Sequence, residues 1–290
     1  MIGSALAPFL ATGGYEVTKL SRAASPANGA NAWWNPARSQ INLGGVADLE
    51  AVIHLAGEPL VGRWSPTKKQ RIRDSRVNGT RSLSEALVRL PRPPKVLVCA
   101  SATGFYGSRG DELLDEQSAS GTGFLAEVCR AWEAATAPAA NGGIRVVNLR
   151  IGVVLSSKGG ALARMLPAFR LGLGGKLGKG AQYWSWIAME DLAGAIHHAL
   201  LSQNLSGAVN AVSPQPVTNE EFTRTLGALL RRPAFCAVPV FTLKLLFGEL
   251  AEALLLASAR VRPARLEQTG FRFRFPRLGE ALRHSLGQDQ

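Results

Sequence analysis

Three almost uninterrupted apolar runs, separated by stretches of helical periodicity, are the feature that most constrains the fold of this chain. They lie in LEAVIHLAGE around 51–56, in KVLVCASATG over 95–104 and in IRVVNLRIGVVL over 144–155. Strands this apolar are typical of a sheet covered on both faces, which requires parallel strands joined by crossover helices. The alternation predicts an α/β fold with a Rossmann-type, doubly wound parallel sheet.

Two segments between these strands predict crossover helices. Ser65 followed by Pro66 marks a helix start, because serine caps free backbone N–H groups and proline is tolerated at the first helical position. A second helix is predicted from about Gly123 to Ala135.

The first twenty residues predict a helix over 4–11, a Gly13-Gly14 turn and a strand over Tyr15–Leu20. This is the helix-turn-strand part of a dinucleotide-binding unit, without the strand and glycine loop that open such a unit. We therefore expect the first strand of the sheet to be missing from an N-terminally truncated chain, with about a dozen residues preceding Met1 in the full protein.

The pattern changes after Gly159, where the sequence is glycine-rich and irregular up to about residue 186. We predict a Rossmann domain over 1–158 that residues 187–212 rejoin, and a small, mainly helical C-terminal domain formed by 159–186 and 213–290. The leucine stripe in FTLKLLFGELAEALLLASARV is interpreted as core, with an oligomer interface as the alternative, so monomer and homodimer both remain open.

Composition argues against several classes of protein. Hydrophobic residues make up 46% of the 290, which is ample for a packed core. No apolar run approaches the ~20 residues that cross a bilayer, and no signal-peptide pattern opens the sequence, so we predict a cytoplasmic protein without a membrane partner. The cysteines at 99, 129 and 236 have no metal-ligand spacing, so no metal site is predicted.

The formal charge of +12 raises the hypothesis of nucleic-acid binding. The basic residues are nevertheless spread over many segments, and the densest cluster, Lys68 to Arg76, is typical of a solvated helix face. No nucleic-acid partner is therefore expected.

In an open parallel sheet, ligands bind beyond the carboxyl ends of the strands. Gly3 would let the first helix approach a pyrophosphate, where the helix N-terminus favours an anion. Arg22 follows the predicted second strand, where a basic residue suits the 2′-phosphate of NADP; the alternative is an ordinary surface arginine.

Small and hydroxyl residues follow the next strands. Ala56 and Gly57 would let the backbone lie against a cofactor, whereas His54 inside the apolar run is interpreted as a hydrogen-bonded core residue. Ser101 and Tyr106 in SATGFYG are predicted to face the nicotinamide position.

Short-chain dehydrogenases carry a Tyr-x-x-x-Lys pair on a helix, where lysine lowers the tyrosine pKa and tyrosine moves a proton. The one match here, Tyr15 with Lys19, lies on a predicted strand, where four residues span about 13 Å and the groups cannot meet. The helix expected to carry the pair, GFLAEVCRAWEAA, has Phe124 and Val128 at one plausible register, and neither transfers a proton.

Many ordered motifs together identify a resemblance. HLAGEPLVGRW, SRVNGTR, SATGFYG, FLAEVCRAWE, SWIAMEDL and VNAVSPQPVTNEEF are similar to the epimerase family proteins of the atypical extended short-chain dehydrogenase/reductase superfamily. RVRPARLEQTGFRFRFPRL resembles the C-terminal domain of unknown function of that group. The likeness covers essentially the whole chain.

The resemblance implies an extended Rossmann fold that binds NADP(H), with an undefined substrate. It places Arg22 on the 2′-phosphate, and it assigns the remaining cofactor contacts to Leu55, Ala56, Gly57, Arg76 and Val153. Members of the group commonly have histidine after SWI, where this chain has Ala188, so any role of that imidazole is absent here.

Two functions follow as hypotheses. The first is an NADP(H)-dependent oxidoreductase or epimerase acting on a small polar, sugar-like or nucleotide-sugar-like substrate. Ser101 and Tyr106 would orient that substrate, and Asp111 or Glu112 would act as acid or base unless their loop is simply solvated. The second, suggested by the absent Tyr/Lys pair, is a non-catalytic NADP(H)-binding regulatory protein.

Overall fold

The computed structural model describes residues 1–20, 32–35, 40–43, 46 and 48–288. Arg22 lies outside these residues. The helices are α1 Ile2–Thr12, α2 Pro66–Val88, α3 Phe124–Ala134, α4 Ala137–Asn141, α5 Gly160–Arg170, α6 Met189–Leu201, α7 Asn219–Leu230, α8 Val240–Phe247, α9 Ala264–Gln268 and α10 Leu278–Ser285. The strands are β1 Trp33–Asn35, β2 Gln40–Asn42, β3 Ala51–His54, β4 Val96–Ala102, β5 Leu113–Leu114, β6 Arg145–Ile151, β7 Val153–Leu155, β8 Tyr183–Trp184, β9 Trp186–Ala188, β10 Gly207–Ala211, β11 Val217–Thr218 and β12 Arg260–Val261. A 3-10 turn, Thr103–Tyr106, follows β4, and a π-helical turn, Ala251–Leu255, follows α8.

The main sheet has four parallel strands in the order β10-β6-β4-β3. Leu97 and Val98 of β4, Leu149 of β6 and Val209 of β10 are fully buried, because helices cover the sheet. The predicted parallel Rossmann-type fold is confirmed. The remaining strands form short pairs, β1-β2, β5-β12, β7-β9 and β8-β11.

The predicted N-terminal helix is confirmed, whereas the predicted strand over Tyr15–Leu20 is wrong. Leu6 and Leu10 of α1 are buried in the cluster that covers the sheet. Residues 15–20 have no regular secondary structure and are mostly exposed. A strand needs a neighbour to accept and donate its backbone hydrogen bonds, and no strand in the described part of the chain pairs with this segment.

Helix α2 begins as its sequence predicts. The Ser65 side chain accepts a hydrogen bond from the backbone N–H of Lys68 at 3.2 Å, and Pro66 is the first helical residue. Ile72, Leu83 and Leu87 on its inner face are buried. The helix therefore spans the sheet from just beyond the carboxyl end of β3 back to the start of β4.

The C-terminal part is mainly helical, as predicted, and has a core of its own. Leu162 and Phe169 of α5 pack with Phe222 of α7 and Leu282 of α10 around Trp186. The predicted domain boundaries stay a prediction. The leucine stripe is core only in part, since Leu243 and Leu250 are buried while most other apolar side chains of α8 are exposed.

None of the helices in the described ranges combines the length and apolar character needed to cross a membrane.

Candidate cofactor site

The carboxyl ends of β3, β4 and β6 meet at one edge of the sheet. His54 at the end of β3 pairs with Cys99, and Ala102 at the end of β4 pairs with Ile151 at the end of β6. Parallel strands place the residues that follow them along the same edge. This arrangement brings Leu55 to Gly57 and Val153 to the same side of the sheet, and their contacts with a cofactor stay a prediction.

Gly57 and Arg76 are in direct contact. A Cβ atom on Gly57 would lie 3.2 Å from the guanidinium carbon of Arg76, so the close approach favours glycine. Arg76 Nη1 donates to the carbonyl oxygens of Glu58 at 3.0 Å and Ile72 at 3.2 Å. Its guanidinium carbon lies 5.0 Å from the ring centre of Trp132. Arg76 therefore fixes the turn after β3 from its position on α2.

The side chain of Arg76 is partly buried. Burial lowers the pKa of its guanidinium, and the carboxylate of Glu58 opposes that change. A partly buried cation beside a glycine turn interacts strongly with an anion, because little water screens the charge. Arg76 thus presents a partly buried positive charge at this edge of the sheet, and its contact with a cofactor stays a prediction.

The N-terminus of α1 is the second feature suited to an anion. The first turn of α1 carries no acidic residue, and a Cβ on Gly3 would meet no atom within 4 Å. The side chain of Met1 lies against Gly159 and Gly160, where α5 begins, also without an acidic residue in its first turn. Backbone N–H groups at such helix starts favour phosphate oxygens.

His54 is a core residue, as the sequence predicts. Its Nε2 lies 3.0 Å from the hydroxyl of Thr80, which also accepts a hydrogen bond from the indole of Trp132 at 2.8 Å. The Trp34 ring packs edge-on against the imidazole with centroids 5.3 Å apart. Burial lowers the pKa of His54 to about 4, so the imidazole is neutral at physiological pH.

This buried histidine predicts a specific loss of stability in acid. The unfolded chain binds a proton near pH 6.5 and the folded chain only near pH 4, so stability falls as pH drops between those values. We expect the free energy of unfolding to decrease by about 2 kcal/mol more between pH 7 and pH 5 in the wild type than in His54→Gln. Urea unfolding at both pH values measures the difference. An unchanged dependence in His54→Gln would contradict the assignment.

Ser101 lies in a buried ion-pair network rather than on an open surface. Its hydroxyl donates to Glu133 Oε1 at 2.7 Å. Arg150 Nε and Nη2 donate to the two oxygens of the same carboxylate, each at 2.9 Å. Burial alone would lower the pKa of Arg150, but the bonds to Glu133 outweigh it and raise the pKa.

Tyr106 continues this network toward the C-terminal part. Its fully buried hydroxyl accepts from Arg150 Nη1 at 3.0 Å and donates toward Asn210 Oδ1 at 2.7 Å. Burial raises the pKa of Tyr106 to about 12, so the phenol stays protonated at neutral pH. The structure therefore holds Tyr106 inside the protein, and a catalytic role for it stays a prediction.

Asn210 and Glu116 carry the network into the C-terminal segment. Asn210 Nδ2 donates to the carbonyl oxygen of Arg262 at 3.0 Å. Glu116 Oε1 accepts from the backbone N–H of Asn210 at 2.9 Å and from that of Arg265 at 3.2 Å. Two side chains from the Rossmann part thus hold the backbone of the C-terminal part.

Asp111 and Glu112 lie together on an exposed turn. The Glu112 carboxylate accepts from Arg109 Nη2 at 2.7 Å and from Arg109 Nε at 2.8 Å. Both residues are exposed to solvent. The geometry fits the solvated-loop alternative, and an acid/base role for them stays a prediction.

Phe124, which stands at one plausible register of the Tyr-x-x-x-Lys pair, is covered by residues to which the sequence assigned no role. Its ring packs edge-on against Trp64 with centroids 5.3 Å apart, and Lys69 Nζ lies 4.7 Å from its ring centre. Lys69 also pairs with Glu249 at 2.8 Å. Trp64 belongs to the HLAGEPLVGRW motif, and membership of that motif was the sequence signal that could have pointed to this residue.

Val153 begins β7 directly after the glycine that ends the β6 exit turn. A Cβ on Gly152 would come within 2.9 Å of Val212 and overlap the backbone of Ser185, so this crossing requires glycine. The Val153 N–H donates to the carbonyl oxygen of Ser185 at 2.8 Å.

Among the described residues no cluster of three His, Cys, Asp or Glu is arranged to hold a metal ion.

Three features define the class of protein: the parallel sheet, the N-terminus of α1 without acidic residues, and the glycine turn at the carboxyl edge of the sheet. They are typical of Rossmann-type proteins that bind nucleotide cofactors. The chain belongs to the NAD dependent epimerase/dehydratase family, whose model matches residues 1–211. Residues 238–285 match a domain of unknown function, DUF1731. The resemblance seen in the sequence motifs is confirmed.

Individual relatives agree with this assignment. The chain is 44% identical over 283 residues to an epimerase family protein, Mb2239, of Mycobacterium bovis, covering 97% of this chain and 93% of that protein. The crystal structure of human epimerase family protein SDR39U1 (isoform 2) with NADPH superposes with a TM-score of 0.90 at 35% identity, over 99% of this chain and 96% of that one. A Thermus thermophilus UDP-glucose 4-epimerase complex with NAD shares the fold alone, with a TM-score of 0.74 at 20% identity over 99% and 95% of the two chains.

Proposed function

We propose that this protein binds NADP(H) at the carboxyl edge of the main sheet and acts as an oxidoreductase or epimerase on a small polar, sugar-like substrate. The observation that carries the proposal is the turn after β3, where a glycine contacts the partly buried guanidinium of Arg76. The human relative that was solved with NADPH is similar over almost the whole chain, which supports the choice of cofactor.

The cofactor-binding residues divide by the chemistry that they offer. The N-terminus of α1 at Gly3 would bind the pyrophosphate, and Arg22 would bind the 2′-phosphate. The backbone of Leu55, Ala56 and Gly57 would lie along the cofactor, with Arg76 beside it and Val153 closing the nicotinamide side. When bound, the nicotinamide supplies hydride transfer.

The remaining site residues would orient the substrate and exclude water. The Ser101–Glu133–Arg150–Tyr106 network holds the turn after β4 in place. Trp64 and Phe124 pack edge-on against each other, with Trp64 buried. Asp111 or Glu112 would hold or release a proton at a carboxylate oxygen.

A non-catalytic, NADP(H)-binding regulatory protein is the second candidate. Two observations favour it: at one plausible register the helix carries Phe124 and Val128 in place of the Tyr/Lys pair, and the hydroxyls of Ser101 and Tyr106 are bound within the protein. A metabolite screen with NADPH labelled at its transferable hydrogen distinguishes the two functions. Transfer of label to a metabolite supports catalysis, and tight cofactor binding without transfer supports regulation.

The cytoplasmic location and the lack of a nucleic-acid partner stay predictions.

Arg76→Ala tests the cofactor site. We expect about tenfold or greater loss of NADPH affinity, because a hydrogen bond from a charged group contributes about 1.5–3 kcal/mol. Titration of nicotinamide fluorescence measures the affinity, with Arg73→Ala, an exposed arginine of the same helix, as the matched control. Equal affinity for wild type and Arg76→Ala would contradict the proposed site. Weaker binding of NADH than of NADPH by the wild type is expected as well.

A further inference from the structure

Helix α8 leaves most of its apolar side chains in water. Leu243 is buried, whereas Phe241, Leu245 and Leu246 are 76%, 72% and 64% exposed. Phe241 and Leu245 are four residues apart and therefore neighbours on one helix face. An exposed apolar surface of this kind marks a site of interaction with another molecule.

The chain that enters α8 lies beside the chain that leaves α5. The N–H of Val238 donates to the carbonyl of Lys176 at 2.8 Å, and that of Cys236 donates to the carbonyl of Gly174 at 3.1 Å. These paired segments add further exposed apolar side chains, Leu171, Leu173 and Phe235. Exposed apolar side chains are therefore found beyond α8, on the segments that adjoin its start.

The same part of the chain carries more basic than acidic residues. Residues 160–181 and 222–248 contain no aspartate or glutamate. They contain eight basic residues: Arg164, Arg170, Lys176, Lys179, Arg224, Arg231, Arg232 and Lys244. Four glutamates border these segments in sequence: Glu220, Glu221, Glu249 and Glu252. Glu220 pairs with Lys176, Glu249 with Lys69 and Glu252 with Lys244, so basic residues still outnumber acidic ones here. The surface thus combines exposed leucine and phenylalanine with net positive charge.

Positive charge together with exposed leucine and phenylalanine favours one kind of partner over others. A second copy of the chain would bring like charges face to face, which opposes association. A nucleic acid would satisfy the arginines but would leave aliphatic Leu245 and Leu246 without suitable contacts. The surface of an anionic bilayer offers both negative headgroups and an apolar interior.

We propose that α8 and the paired segments around 171–173 and 235 bind the surface of an anionic phospholipid bilayer. Phe241, Leu245 and Leu246 enter the boundary between headgroups and acyl chains, and the arginines contact the lipid phosphates. The sequence analysis expected no membrane partner because no segment spans a bilayer; surface binding needs no such segment.

Vesicle co-sedimentation of the full chain tests the proposal. We expect binding to phosphatidylcholine vesicles that contain phosphatidylglycerol, weaker binding to pure phosphatidylcholine, and loss of binding as salt is raised. The double variant Phe241→Ser/Leu245→Ser should bind about tenfold or more weakly, since two apolar side chains no longer leave water. Arg231→Ser/Arg232→Ser should reduce binding to the anionic vesicles and its dependence on salt.

Leu201→Ser is the matched control, because Leu201 at the end of α6 is 60% exposed but lies outside the proposed surface. It should bind vesicles like the wild type. Since all these side chains are exposed, equal thermal midpoints should accompany the changes in binding. The proposal is overturned if the wild type does not sediment with anionic vesicles at low salt, or if Phe241→Ser/Leu245→Ser binds them as the wild type does. A concentration-dependent dimer in light scattering, lost in that double variant and accompanied by no vesicle binding, would assign the surface to a second copy instead.

Discussion

Glu133→Ala should lower the free energy of unfolding by about 3–5 kcal/mol, because it leaves the charge of Arg150 buried without its counter-ion. The side chains of Arg150 and Glu133 are only 5% and 14% exposed, and two bonds of 2.9 Å join them. Ser101 loses its acceptor in the same variant. Urea unfolding measures the loss.

The matched control is Glu127→Ala, an exposed carboxylate on the first turn of the same helix. It should cost about 1 kcal/mol or less, through the helix dipole alone. The variant Glu133→Leu/Arg150→Met should recover part of the stability lost in Glu133→Ala, because it removes both charges together. If Glu133→Ala were no less stable than Glu127→Ala, the ion pair would not stabilise the fold.

Gly121→Ala is the second substitution with a large expected effect. A Cβ at this position would overlap the carbonyl oxygen of Tyr106 and come within 2.9 Å of the Gly107 Cα atom. Both neighbours are backbone, so the main chain itself has to move. We expect destabilisation at the upper end of the usual range for overpacking, about 3 kcal/mol, measured as a fall in the urea midpoint.

Gly279→Ala makes the same chemical change where space is open. No atom lies within 4 Å of a Cβ on Gly279, which lies in the first turn of α10. Alanine favours a helix over glycine, so this variant should gain up to about 1 kcal/mol. Similar midpoints for the two glycine variants would show that the crowding at Gly121 relaxes without cost.

The sheet could be predicted because its signals are local. Buried strands at β3, β4 and β6 appear as apolar runs, and the start of α2 follows from the serine-proline pair at 65–66. The segment 15–20 has an equally strand-like sequence, yet strand formation depends on a neighbouring strand that its own residues do not specify. The exposure of α8 was missed for a related reason, since an apolar helical pattern predicts a buried face without saying what covers it.

The candidate site was predicted as a set of positions but not as a network. Ser101 and Tyr106 stood out by their hydroxyl groups, whereas their partners Glu133, Arg150 and Asn210 lie up to 104 residues away in the chain. One feature of the sequence did indicate a buried network. Arg150 interrupts the apolar run IRVVNLRIGVVL, and a charged residue inside a buried strand requires a partner.

The contacts of Asn210 and Glu116 with the C-terminal segment have a consequence for sequence variation. Both side chains bind main-chain atoms, the carbonyl oxygen of Arg262 and the N–H of Arg265. Every residue carries the carbonyl, and every residue except proline carries the N–H. Substitutions at 262 can therefore accumulate without breaking this attachment, while residues 116 and 210 cannot change freely. Residue 265 is more constrained than 262, because Arg265 Nη1 also donates to the carbonyl oxygen of Ala208 at 2.9 Å. The outer surface of the C-terminal segment, and with it the partners that the segment binds, can therefore change while its attachment through Glu116 and Asn210 is kept.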